Sequence, residues 1–86
     1  MDKFLFNEIM RGVPQDEELK LNGYTLPLIG KYARISVQLL DEGHMYYHVN
    51  KKELLESDIQ ADELMELRTQ GWELSEDEES VIKKII

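Results

Sequence analysis

The chain has 86 residues, no cysteine and a formal net charge of -8 at pH 7. This length fits one small domain, and the missing cysteine excludes disulfide bonds, thiolate metal sites and cysteine nucleophiles. With 42% hydrophobic and 33% charged residues, the composition is that of a folded domain rather than a disordered chain. We therefore expect a single small α+β domain over residues 1–86.

The acidic charge is unevenly distributed along the sequence. Residues 1–52 carry seven basic and seven acidic side chains, whereas residues 53–86 carry three basic and eleven acidic ones. The longest uncharged stretch, residues 21–30, contains Asn, Gly and Pro, so no membrane span is predicted. The N-terminus has no basic segment followed by an apolar run, and this argues against a secretory signal. We expect a cytoplasmic protein that does not bind membranes.

The first predicted element is a helix over about residues 2–11. Phe6, Ile9 and Met10 recur at helical spacing and give the helix one apolar face. Asp2 is a suitable N-cap, and the glycine and proline that follow the helix end it.

A β-hairpin is predicted next, over residues 19–26. Its centre is Asn22-Gly23, a pair that tolerates the positive φ angles of a type I′ turn. Apolar residues on either side would then pair across the two strands. Pro27 cannot donate to a strand ladder, so the second strand ends there or lies at a sheet edge.

A second hairpin is predicted over residues 32–50, and its register depends on the turn at 41–43. A three-residue loop with Gly43 in a left-handed conformation brings all the apolar residues onto one face, which a two-residue loop does not. Because burial sets register, we predict the three-residue loop. The apolar face then consists of Ile35, Val37, Leu39, Met45, Tyr47 and Val49. The opposite face carries polar and aromatic side chains: Tyr32, Arg34, Ser36, Gln38, His44, Tyr46 and His48.

Three further helices are predicted after the second hairpin. Asn50 and Glu53 form a capping box for a short helix over 51–56. The next helix covers about residues 61–70 and ends at Gly71, with the following Trp72 placed for a Schellman motif. A last helix is predicted after Ser75, with a second capping box and an apolar stripe formed by Val81, Ile82, Ile85 and Ile86.

The predicted fold is therefore α+β. It has an N-terminal helix, a four-stranded antiparallel sheet built from two hairpins, and two or three C-terminal helices packed on one sheet face.

The sequence contains no catalytic constellation that we can identify. His44 and His48 lie four residues apart on one strand, or roughly 13 Å, too far for both to bind one metal ion. Ser36 opposes His48, but a flat strand face lacks the oxyanion donors and orienting group of a nucleophilic site. We predict a protein that is not an enzyme and has no cofactor and no metal site.

The predicted function is that of a protein–protein interaction module. The acidic start of the last helix argues against direct nucleic-acid binding, whereas tyrosine near arginine is common at protein interfaces. The candidate partner-binding residues are Tyr32, Arg34, Gln38, His44, Tyr46, His48, Glu53, Glu56, Asp62, Glu63 and Glu66.

Three alternatives remain open from the sequence. The acidic C-terminal part suits an inhibitor or immunity-type protein that mimics nucleic-acid charge and binds a basic partner. The face with His44, Tyr46 and His48 suits a small ligand- or metal-binding module. A homodimer through the open sheet face or a strand edge is the third alternative.

Overall fold

The computed structural model describes residues 1–11, 26–40 and 43–85, and it shows an α+β fold. The elements in chain order are α1 (Lys3–Met10), α2 (Leu26–Ile29), β1 (Ile35–Leu40), β2 (His44–Asn50), α3 (Lys51–Glu56), α4 (Ala61–Thr69), β3 (Glu73–Leu74) and β4 (Ser80–Lys84). The four strands form an antiparallel sheet in the order β1-β2-β4-β3. The predicted α+β class and four-stranded antiparallel sheet are confirmed, but two of the strands come from residues 73–84, which the sequence does not predict to belong to the sheet. Within the described ranges, no helix has the length and apolar run needed to cross a membrane.

The predicted register of the second hairpin is confirmed. Ile35 pairs with Val49, Val37 with Tyr47, and Leu39 with Met45. Gly43 has a φ angle of 91°, as the three-residue loop requires of a residue without a side chain. The strand begins later than predicted, at Ile35 rather than residue 32.

The first helix and the helix after β2 begin where their sequences predict. The Asp2 side chain accepts a hydrogen bond from the backbone N–H of Phe4 at 3.0 Å, and Asn50 accepts one from Lys52 N–H at 2.8 Å. The predicted capping box at Asn50 is wrong in one half, because the Glu53 carboxylate accepts from the N–H of Arg34 instead.

Helix α4 ends in the predicted Schellman motif. The N–H of Trp72 donates to the carbonyl of Leu67 at 3.1 Å, and that of Gly71 donates to the carbonyl of Arg68 at 3.2 Å. The φ angle of Gly71 is 100°. This turn directs the chain from α4 into β3 and buries the Trp72 ring in the core.

The predicted last helix is wrong, because this segment forms the β3–β4 hairpin. Val81 pairs with Val49, and Ile82 pairs with His48, in the centre of the sheet. The apolar residues of this segment also fit a strand, and pairing with β2 decides the outcome. Ser75 begins the turn between β3 and β4 rather than a helix.

The predicted hairpin at 19–26 lies outside the described residues except at its end. Leu26, predicted in a strand, begins the short helix α2, and Pro27 occupies the second position of that helix. A proline is tolerated there because the first-turn N–H groups of a helix have no internal partner.

The core lies between the helices and the sheet face that carries Val49 and Val81. It consists of apolar side chains from helices, strands and connections: Phe6, Met10, Ile29, Val49, Leu54, Ile59, Leu64, Leu67, Trp72 and Val81. The Tyr47 ring stacks on Trp72 with centroids 6.3 Å apart. This packing covers the end of the β1–β2 hairpin that carries Val49, and the turn end of the hairpin lies farther from the helices.

Candidate functional site

The turn end of the β1–β2 hairpin exposes three neighbouring apolar side chains, which we call the apolar tip: Val37, Leu39 and Met45. Their exposed fractions are 51%, 68% and 42%. Leu39 lies directly opposite Met45, and Val37 is two residues from Leu39 on the same strand face. The three side chains therefore form one continuous patch.

Burial along this sheet face falls steadily from the helices toward the turn. Val49 is fully buried at the base of the hairpin, and its partner Ile35 is half-buried against the core. The sequence predicts a buried apolar face along the whole hairpin. The register is right, but coverage of the apolar tip is not found among the described residues.

The tip is also continuous with a sheet edge. β1 is the outermost strand, and within residues 1–11, 26–40 and 43–85 it pairs with β2 alone. Ile35–Leu40 contains no charged residue and no proline, the devices that commonly protect such an edge.

The outer face of the hairpin brings together four of the predicted binding residues, Gln38, His44, Tyr46 and His48. Gln38 lies opposite Tyr46 across the β1–β2 ladder, and Lys84 flanks Tyr46 on the other side. Gln38 and His44 are exposed, whereas the two others are half-buried. The predicted polar and aromatic face is thus present over β1 and β2.

Tyr32 does not belong to this face, which corrects the prediction, and Arg34 lies one residue before β1. Tyr32 lies in the turn after α2, and its hydroxyl donates to both carboxylate oxygens of Glu63, at 2.7 and 2.9 Å. This hydrogen bond, together with burial, raises the pKa of Tyr32 above its ordinary value. Arg34 precedes β1, where its backbone N–H donates to Glu53 at 3.0 Å.

The predicted acidic binding residues divide into two groups. Glu53 and Glu63 are engaged in structural hydrogen bonds, since Glu63 also accepts from the backbone N–H of Gln60 at 3.0 Å. The others are exposed on α3 and α4: Glu56, Asp62 and Glu66. Asp62 lies in the first turn of α4, where a carboxylate favours the helix dipole, whereas Glu56 and Glu66 lie beyond the first turns of their helices.

Sequence reasoning missed the acidic turn beside the outer face. The Asp77 carboxylate accepts from the Ser75 hydroxyl at 2.5 Å and from the Glu79 N–H at 3.0 Å, and these bonds lower its pKa. Together with His48 and Gln38, the turn lines an open surface depression. The Ser-x-Asp spacing is typical of such a turn, whereas the capping-box pattern at Ser75 predicts the start of a helix.

Neither a cluster of metal ligands nor a serine–histidine hydrogen bond is found among the described residues. In this part of the chain, no group of three or more His, Asp or Glu side chains is arranged to hold a metal. Ser36 donates to the backbone carbonyl of His48 at 3.4 Å, so the hydroxyl is directed at the main chain and not at the imidazole.

Comparison with known proteins adds no relative. The chain matches no family model, no curated protein and no solved structure. Evidence for function therefore comes from the surface of the chain itself.

Proposed function

We propose that this protein is a non-enzymatic protein–protein interaction module that binds its partner through the apolar tip. The observation that carries the proposal is the exposure of Val37, Leu39 and Met45 as one patch toward the turn end of the β1–β2 hairpin. Contiguous apolar surface that is rimmed by polar residues is typical of protein-binding sites.

The surroundings of the tip support a protein partner over a small ligand. A ligand pocket is concave and encloses most of its ligand, whereas the tip is a strand face. The other face of the same two strands carries Tyr46, His44 and Gln38. Methionine and tyrosine are both enriched at protein interfaces.

Affinity copurification with paired variants tests this proposal. Leu39→Lys places a charge in the tip, and Met65→Lys makes the same change at an exposed methionine on α4. Both side chains are more than half exposed, at 68% and 54%, so both variants should fold. We expect the tagged wild-type chain and Met65→Lys to retain the same protein partner, and Leu39→Lys to lose it.

Two outcomes would contradict the proposal. One is equal recovery of the partner by Leu39→Lys and Met65→Lys. The other is the absence of any partner, including an added untagged copy of this chain.

Exposed acidic residues on α3 and α4, including Glu56 and Glu66, favour the acidic inhibitor as a second candidate. A partner bound through these helices would be basic, and its association would weaken strongly as salt increases. Binding through the uncharged apolar tip should change little over the same range. Glu56→Gln combined with Glu66→Gln should weaken only the first kind of complex.

A further inference from the structure

Within the part of the chain that the structure describes, β1 pairs with β2 alone, and its outer edge has the properties of a strand that pairs with another strand. Its pairing with β2 runs without a bulge from Ile35 to Leu40, and the residues between carry no charge. Such an edge presents unpaired N–H and carbonyl groups on the side away from β2, and it is a template for strand addition. The apolar tip lies directly beside it.

The sequence of β1 is self-complementary when two copies are aligned antiparallel about Val37. In that alignment Ile35 lies opposite Leu39 of the other copy, and Val37 lies opposite its own copy. Ser36 lies opposite Gln38 on the other face. Apolar residues thus meet apolar residues, polar residues meet polar residues, and no like charges oppose each other.

The acidic turn of residues 76–79 lies far from this contact, whereas Asp41 and Glu42 follow β1 directly in the sequence. β3 is the opposite edge of the sheet, and the acidic turn of residues 76–79 follows it. If two sheets join at β1, seven strand spacings separate the two β3 strands, or about 34 Å. Repulsion over this distance is screened, because the Debye length is about 8 Å at physiological salt.

We infer that the partner of the apolar tip is a second copy of this chain, joined through antiparallel pairing of two β1 strands with Val37 on the two-fold axis. This inference rests on the proposed function, because the same tip residues form the contact. The two apolar tips then merge into one surface across the axis.

Single-cysteine variants test the register directly, because the chain has no cysteine of its own. Val37→Cys places two thiols opposite each other, within the Cα separation of up to about 7 Å that a disulfide bridges. Leu39→Cys places them four residues out of register, or about 13 Å apart. Met65→Cys is a control on α4 with matched exposure, since Val37 is 51% and Met65 54% exposed.

We expect mild oxidation to convert Val37→Cys to a covalent dimer and to leave Leu39→Cys and Met65→Cys largely monomeric. Sedimentation equilibrium of the unmodified chain should show a species of twice 10.1 kDa, and Val37→Lys should abolish it. Equal linking of all three cysteine variants would overturn the inference, as would a wild-type monomer at every concentration.

The failure of this inference is distinguishable from that of the proposed function. If the chain is a monomer and Leu39→Lys abolishes binding of a different protein, the inference of a second copy is wrong. The apolar tip would then still be a binding surface. A chain with neither self-association nor a tip-dependent partner would overturn both.

Discussion

Lys51 lies at the edge of the core, where burial lowers the pKa of its ammonium group. The residue is 6% exposed, and its Nζ atom is 5.7 Å from the centroid of the Phe6 ring. Burial is the main cause of the lowered pKa, and the positive charge of Lys3 adds to it. The unfolded chain therefore binds this proton more tightly than the folded chain does.

Replacing this lysine should stabilise the protein. We expect Lys51→Met to raise the free energy of unfolding at pH 7 by on the order of 1 kcal/mol, because it removes a buried charge and keeps the side-chain length. The difference in stability between Lys51→Met and the wild type should shrink at alkaline pH, because the wild-type penalty disappears as Lys51 loses its proton. Denaturation at pH 7 and in the alkaline range measures both effects. Lys52→Met, an exposed neighbour on α3, should change neither, and a destabilised Lys51→Met would contradict this account.

Gly43 shows a purely conformational requirement. Its φ angle is 91°, and a Cβ atom added there would meet nothing within 4 Å. We expect Gly43→Ala to cost about 1 kcal/mol through backbone strain alone. Gly43→Asn should cost less, because asparagine tolerates left-handed conformations better. Equal losses in the two variants, measured by chemical denaturation, would indicate a cause other than the φ angle.

At the level of elements, the turn between β3 and β4 depends on the Asp77 carboxylate. This group accepts hydrogen bonds from Ser75 and from the Glu79 N–H, which lower its pKa. Because the folded-state pKa is lowered, the stabilisation is present above the unfolded-state pKa and is lost as pH falls through the folded value.

Asp77→Ala should therefore lower the melting temperature at pH 7 and reduce the further loss of stability on acidification. Glu76→Ala, in the same turn and exposed, is the matched control and should behave like the wild type. Thermal denaturation between pH 7 and acidic pH checks both variants. An acid response of Asp77→Ala that equals that of the wild type would show that this carboxylate does not support the turn.

The elements that sequence reasoning predicts correctly are those defined by local contacts. The N-caps at Asp2 and Asn50, the Schellman motif at Gly71 and the β1–β2 register each depend on residues a few positions apart or on one short turn. Their physical causes are therefore contained within a short window of sequence.

Residues 80–84 show why the remaining prediction failed. A capping-box pattern and a spacing of apolar residues that suits both helix and strand favoured a helix. The decisive interaction is pairing with β2, where Val81 meets Val49 and Ile82 meets His48. These pairs are separated by more than thirty residues, so no short sequence pattern can predict them. Tertiary pairing with β2 therefore outweighed the helical pattern of the segment.

Only part of the candidate site can be predicted from the sequence, because the rest depends on contacts between distant elements. The shared outer face of Gln38, Tyr46 and His48 follows from strand alternation, and it is present. The sequence also predicts that the opposite, apolar face is buried along the whole hairpin. This prediction is wrong at the apolar tip, because strand alternation identifies a face and does not show how far the helices cover it. Tyr32 was misplaced because its bond to Glu63 joins distant elements.

For the whole molecule, the sheet separates two kinds of surface. Strand β1 carries no charged side chain, whereas the turn after β3 is acidic. The net charge of -8 favours solubility of the free chain, and among the described residues the outer edge of β1 has no paired strand. The side chains of the apolar tip are exposed, and we propose that they form binding surface and not part of the core.

The free energy of unfolding of Leu39→Lys, in solution dilute enough to keep the chain monomeric, tests this claim most directly. For a surface position we predict a change within about 1 kcal/mol of the wild type, even though partner binding is lost. For a leucine that belongs to the core, loss of the buried side chain should cost about 2–5 kcal/mol. A loss in that range would contradict the account, because the tip would then stabilise the fold and not the complex.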